Sequence, residues 1–255
     1  MDLTRAQGFL IDLDGTLLQG QNPLPGAIEF VRWIVKAEIP YLYWTNNSTR
    51  TPKVVAAMLQ EMGFPAHEQQ VFTSSIATSL WLREHVKENP LLYVVGEAGL
   101  REIVSDAGAT LIDSTTVAVD AVVVGLDRHV TFSKLSHAMT HLLNGAMFVG
   151  TNPDHALPTE AGFIPGAGAL LAFLERATKR SPHVIGKPNP EFVRAACEKL
   201  SLVPRDVIVI GDNPETDLRA ATLAGARTIW VKTGVRAEQA VKADLEIASL
   251  RDLLN

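Results

Sequence analysis

Asp12 and Asp14 stand either side of Leu13 in Asp12-Leu13-Asp14-Gly15-Thr16, directly after the apolar run Gly8-Phe9-Leu10-Ile11. Side chains alternate along a strand, so two carboxylates at its end should point roughly the same way while Leu13 faces the core. Such carboxylates repel one another and resist desolvation, so a site that keeps both holds a cation or protonates one of them. The bland alternative is an Asp-Gly turn after a strand. Three later stretches favour chemistry, because each lies at or after the end of a predicted strand: Trp44-Thr45-Asn46, Gly186-Lys187-Pro188, and Gly211-Asp212-Asn213-Pro214-Glu215-Thr216-Asp217. If they converge, the site combines oxygen ligands, a fixed ammonium, and hydroxyl and amide donors. Carboxylates without a His or Cys cluster suit Mg²⁺ better than zinc. A phosphoryl group fits that inventory, since it needs cations and donors on its equatorial oxygens and a nucleophile in line.

The elements that must position these residues read as alternating strands and helices. Pro25-Gly26-Ala27 leads into a helix over Ile28 to Val35, Pro40 to Asn47 reads as a strand with a polar end, and Thr51-Pro52 opens a helix that Gly63 ends. This β-α-β-α order predicts a doubly wound parallel sheet, with ligands gathered at the carboxyl ends of its strands. From about Ser75 a second α/β pattern begins: helix Ile76 to His85, strand Leu91 to Val95, helix Leu100 to Ala107, strand Ala121 to Val124, helix Ser133 to Asn144, strand Met147 to Val149. We read 75–181 as an inserted α/β domain and 1–74 with 182–255 as the core. In the core's return, His183-Val184-Ile185 leads to Lys187, a helix runs from Pro190 to Leu200, and the strand Asp206 to Ile210 leads to Asp212. A helix Leu218 to Ala224, a strand Thr228 to Val231 and a last short strand and helix follow.

The totals narrow the function classes. The 255 residues are 47% hydrophobic with a net charge of −5, and no block of Lys or Arg offers the positive surface that nucleic acid or an anionic membrane requires. A small-molecule ligand is expected instead. The start of the chain shows no basic stretch leading into an apolar signal segment, and no run approaches membrane-spanning length, so a cytoplasmic protein is expected. Cys197, the only cysteine, falls in a helical pattern and reads as a packed thiol.

Several tempting features have simpler readings. His137 and His141 are four apart on a helix, a metal-binding spacing, but share it with Ser133, Lys134 and Asn144 on a polar side and lack the glutamate of a zinc-protease pattern. Gly166-Ala167-Gly168 could cradle a phosphate, yet reads better as a close chain approach. Trp33, Trp44, Trp81 and Trp230 read as packing residues, and Lys179-Arg180 as a solvated helix end. Asn152, Asp154 and His155 follow a strand of the insert and are candidate substrate contacts, against an Asx turn made with Pro153.

The four motifs, in this order, resemble those of the haloacid dehalogenase superfamily of aspartate-nucleophile phosphatases. The large insertion between the second and third, together with Phe72-Thr73-Ser74-Ser75, Tyr93-Val94-Val95-Gly96 and Thr151-Asn152-Pro153-Asp154, resembles the NagD and 4-nitrophenylphosphatase branch. The resemblance implies a Rossmann-like core with a cap domain, Mg²⁺, and hydrolysis of small phosphate monoesters through an aspartyl-phosphate on Asp12. It implies Asp14 as acid and then base, Thr45 and the backbone N–H of Asn46 as phosphoryl binders, and Lys187 as charge neutraliser. Mg²⁺ would sit on Asp12, Asp212 and the backbone carbonyl of Asp14, with Asp217 holding Lys187 or the metal's waters. A cap would exclude water and select the leaving group, and relatives suggest a homodimer. The alternatives are a phosphotransferase or mutase sharing the first step, and a catalytically silent phosphometabolite-binding module.

Overall fold

The computed structural model describes residues 6–159, 162–234 and 241–254. The chain divides into two compact units. One comprises Met1–Thr45, Pro52–Phe72 and Lys187–Asn255, the other Asn46–Thr51 and Thr73–Gly186. In chain order the elements are β1 (Gly8–Ile11), a small ribbon of β2 (Leu18–Gln19) and β3 (Asn22–Pro23), α1 (Ala27–Lys36), β4 (Tyr41–Thr45), α2 (Pro52–Glu61) and β5 (Val71–Thr73). Then come α3 (Ser74–His85), β6 (Leu91–Val95), α4 (Ala98–Asp106), β7 (Thr110–Leu111), β8 (Ala121–Val124), α5 (Phe132–Leu143), β9 (Met147–Gly150), the hairpin β10 (Ala156–Thr159) and β11 (Gly162–Pro165), α6 (Ala167–Thr178) and β12 (His183–Val184). The chain closes with α7 (Pro190–Lys199), β13 (Val207–Gly211), α8 (Arg219–Ala224), β14 (Arg227–Val231) and β15 (Leu245–Ile247).

The first unit holds a six-stranded sheet in the order β15-β14-β13-β1-β4-β5. β1, β4 and β13 are buried along their whole length, as expected of parallel strands covered on both faces. On one face Phe30, Val31 and Ile34 of α1 join Phe9, Ile11, Tyr43 and Ile208 in the core. On the other, Phe192 of α7 packs against Trp44 and Phe72 at ring-centroid distances of 4.9 and 5.5 Å. The parallel register sets Ile11 beside Ile210 and Tyr43. The residues that leave β1, β13 and β4 therefore emerge side by side at one end of the sheet.

The second unit is built on a parallel five-stranded sheet, β12-β9-β8-β6-β7. Tyr93, Val122, Leu142, Phe148 and Leu174 belong to its core. Both sheets are those of an α/β fold with parallel strands, as expected. Three details differ from the sequence reading. The strand His183–Val184, joined there to the core, pairs with β9, and the amides of Ile185 and Gly186 continue that pairing to Gly150 and Thr151. The two compact units divide at 72/73 and at 186/187, and Asn46–Thr51 goes with the second unit. The short strand β5 and the hairpin β10–β11 were also unforeseen: three residues and a proline-containing quartet carry too little periodicity to stand out.

Candidate active site

Asp12 leaves β1 with its amide bonded to the carbonyl of Ile210 at 2.9 Å, and the residue is only 5% exposed. Its two oxygens are both engaged: Oδ1 accepts from Lys187 Nζ at 2.5 Å, and Oδ2 from Thr16 Oγ1 at 3.1 Å. Lys187, 3% exposed, also lies 2.7 Å from Asp217 Oδ1, and its ammonium sits 4.5 Å above the Trp44 ring centroid. A fully desolvated ammonium is costly unless opposite charges surround it, and here two carboxylates and an aromatic face do so.

Asp212 follows β13 and is buried. Its Oδ1 lies 3.4 Å from Thr16 Oγ1, and its backbone carbonyl accepts from Trp230 Nε1 at 2.9 Å. Asp217 sits in a single π-helical turn, Pro214–Leu218, that precedes α8. Such wide turns re-aim side chains at functional positions, and here Asp217 Oδ2 accepts from the amide of Asn213 at 3.1 Å while Oδ1 faces Lys187. Two glycines leave the room that Asp212 occupies. A Cβ on Gly15 would lie 2.3 Å from Asp212 Oδ2, and one on Gly234 only 1.6 Å from it. Gly15 also has φ +91°, a conformation that side chains rarely adopt, and its carbonyl accepts from Thr233 Oγ1.

Asp12, Asp212 and Asp217 each offer an oxygen atom within 4.8 Å of one another. Three buried carboxylates against one ammonium leave an excess of negative charge out of water, which is expensive unless neutralised. A hard divalent cation fits this all-oxygen set. Burial, reinforced by Asp217 and Asp212, pushes the Asp12 carboxyl well above the usual carboxylate range, with the Lys187 ammonium opposing. Burial alone would lower Lys187, but Asp12 and Asp217 outweigh it and hold the ammonium charged.

The other sequence candidates fall as follows. Asp14, three residues past the last strand residue Ile11, is exposed. Thr45 is buried at the end of β4. Asn46, Asn152, Asp154 and His155 lie in the second unit. There Asp154 accepts from Asn46 Nδ2 at 3.2 and 3.3 Å and from Asn152 Nδ2 at 2.6 Å, while the His155 side chain is exposed. Sequence reasoning took Trp44 and Trp230 for packing alone and gave no role to Thr16, Thr233 or Gly234. Thr233 and Gly234 follow β14, the strand beside β13, so the rule that sites gather at strand ends could have found them.

The bland readings are mostly met. Gly166 and Gly168 lie where a Cβ would come within 2.0 and 2.1 Å of the backbone oxygens of Asp154 and Pro153, a close chain approach. Cys197 is buried, and burial pushes its thiol up to about 12. Two readings need correction. His141 is buried, not on a polar face: its ring lies tilted against Tyr93 with centroids 5.0 Å apart and bonds the carbonyl of Ser114, and burial lowers its pKa. Arg180 is half-buried, and its guanidinium donates to the carbonyl of Leu142 at the end of α5, where helix carbonyls lack partners.

The chain matches the family description "Haloacid dehalogenase-like hydrolase" over residues 9–110, and a second HAD-like hydrolase description over residues 184–253. It is 39% identical over 236 residues to an acid sugar phosphatase of Staphylococcus haemolyticus, covering 92% of this chain and 89% of that one. Among solved structures it resembles NagD of E. coli K-12, with a TM-score of 0.88, 32% identity, and coverage of 96% and 97% of the two chains. It also resembles a glycerol phosphate phosphatase of Mycobacterium tuberculosis solved with magnesium, with a TM-score of 0.90, 32% identity, and coverage of 98% and 76%. The acidic cluster at the strand ends thus lies in a fold whose relatives hydrolyse phosphate esters, and the chain belongs to the haloacid dehalogenase superfamily, in its NagD-like phosphatase branch.

Proposed function

We propose that the chain hydrolyses small phosphate monoesters in two steps with Asp12 as the nucleophile. The observation that supports this best is the placement of Lys187, 2.5 Å from Asp12 and 2.7 Å from Asp217 with Asp212 in the same buried cluster. An Asp12 oxygen attacks phosphorus as the bond from phosphorus to the departing oxygen breaks, and Asp14 gives that oxygen a proton. Water then attacks phosphorus, Asp14 takes a proton from it, and the bond between phosphorus and Asp12 breaks, releasing inorganic phosphate and the free carboxylate. The first step leaves Asp14 ionised and so ready to take the proton of water in the second, which returns it to its starting state. Lys187 keeps Asp12 oriented and offsets the negative charge that the phosphoryl group brings. Thr45 and the amide of Asn46 donate to phosphoryl oxygens. Asp12, Asp212 and the backbone carbonyl of Asp14 would hold Mg²⁺, with Asp217 beside them, and the ion supplies positive charge to the phosphoryl oxygens.

The substrates belong to the class named by the relatives, of which sugar phosphates and glycerol phosphate are the first to test. A cytoplasmic setting and a homodimer go with this proposal; light scattering tests the second. The activity test is phosphate release from p-nitrophenyl phosphate and from a panel of sugar, nucleoside and glycerol phosphates, with Mg²⁺ and with excess EDTA. Release that requires Mg²⁺ and disappears in Asp12→Asn is expected. Release that survives the loss of Asp12 would overturn the assignment.

A further inference from the structure

Asp154 has no place in the scheme above, and a carboxylate is a poor direct partner for a phosphoryl dianion, which it repels. Its position is nonetheless well defined. Asp154 Oδ1 and Oδ2 accept from Asn46 Nδ2 at 3.3 and 3.2 Å, and Oδ2 also accepts from Asn152 Nδ2 at 2.6 Å. Asn152, itself buried, is held in turn by Thr151 Oγ1, which donates to its Oδ1 at 2.7 Å and reaches Ser48 Oγ at 3.3 Å. The same short segment is held from another side: Ser74 Oγ donates to the carbonyl of Asn46 at 2.6 Å and Ser75 Oγ to that of Ser48 at 3.0 Å. Gly186 leaves the space for the Asn46 side chain, since a Cβ there would come within 2.5 Å of Asn46 Oδ1. All of these residues belong to one compact unit.

We propose that Asp154 is a positioning residue for the Asn46 amide, acting on phosphoryl binding through Asn46 and not by touching the substrate. The inference rests on the reading of Asn46 as a phosphoryl-binding amide. With its side chain held by Asp154 and its carbonyl by Ser74, Asn46 has little freedom to turn, so the N–H of the peptide joining it to Thr45 keeps one direction. A preorganised N–H strengthens binding of the group it meets without reorganising as charge develops. Asn152 sets the carboxylate of Asp154 in turn.

The test compares inhibition by inorganic phosphate and kcat/KM for an aryl and an alkyl phosphate in Asp154→Ala, Asp154→Asn, Asn152→Ala, Asn46→Ala and the double variant Asn46→Ala/Asp154→Ala. Asp154→Ala is expected to weaken phosphate inhibition about tenfold to a hundredfold, the worth of one hydrogen bond to a charged group, and to lower kcat/KM equally for both esters. Asp154→Asn keeps an oxygen where both amides donate, so most of the function should return. Asn152→Ala should show a smaller loss of the same kind, which keeps the test alive should Asp154→Ala fail to fold. The double variant should be no worse than the poorer single one. Losses confined to one ester with phosphate inhibition unchanged, or losses that multiply in the double variant, would overturn the proposal. Absence of Mg²⁺-dependent phosphate release from the unaltered protein would instead refute the underlying phosphatase reading.

Discussion

Replacing Lys187 with methionine would leave Asp12 and Asp217 close together in the interior with no ammonium between them. We expect Lys187→Met to lower phosphate release by about 10² to 10³ at saturating substrate, as the loss of one preorganised electrostatic partner does, measured by kcat with Mg²⁺ held in excess. An unchanged kcat would remove Lys187 from the reaction. Asp14→Asn should slow esters with poor leaving groups more than activated aryl esters, and equal slowing of both would count against Asp14 as the acid. Gly234→Ala should raise the Mg²⁺ concentration needed for half-maximal activity, because the added methyl would have to displace the Asp212 carboxylate. The acids and the lysine were legible as residues because their types, spacing and place after strands all speak of charge. The aromatic supports were not. Trp44 and Trp230 look like packing in sequence, and only the fold reveals that one lies under an ammonium and the other bonds the carbonyl of Asp212.

Elements place these residues by register more than by local preference. Because Ile11 pairs with Ile210 and Tyr43, a one-residue slip of β1 would reverse its side chains and take Asp12 out of the cluster. The helices and long strands could be read from apolar spacing. β12 could not be assigned to a sheet, since His183-Val184 has the same local pattern whichever partner it joins, and only pairing with β9 decides. In the second unit, Glu97 before α4 accepts two bonds from the guanidinium of Arg128 after β8, at 2.7 Å each, and one from its backbone N–H at 3.1 Å, and these hydrogen bonds hold its carboxyl below the usual range. A depressed folded pKa gives stability that is present above the ordinary glutamate range and lost as pH falls through the folded value. The guanidinium is half exposed, so the pair is screened. Glu97→Gln should cost under about 1 kcal/mol near neutrality. That difference should vanish in acid, as urea denaturation at neutral and acidic pH would report.

At the scale of the whole molecule, two α/β units share one chain, and the chemistry proposed for Asp12, Lys187, Asp212 and Asp217 belongs to a single one of them. Among the described residues no helix is long and apolar enough to cross a membrane. The native fold should shield Cys197, whose buried thiol is pushed up to about 12. Labelling by a disulfide reagent near pH 8 should therefore be slow in the native protein and fast in denaturant; rapid native labelling would contradict its packing. The most direct measurement of the central claim is peptide mapping of the enzyme quenched in acid during turnover with Mg²⁺ and substrate. A phosphoryl group on the peptide carrying Asp12, absent with EDTA and absent in Asp12→Asn, is the predicted result. Phosphate release during turnover with no label on that peptide, or with the label on another residue, would contradict it.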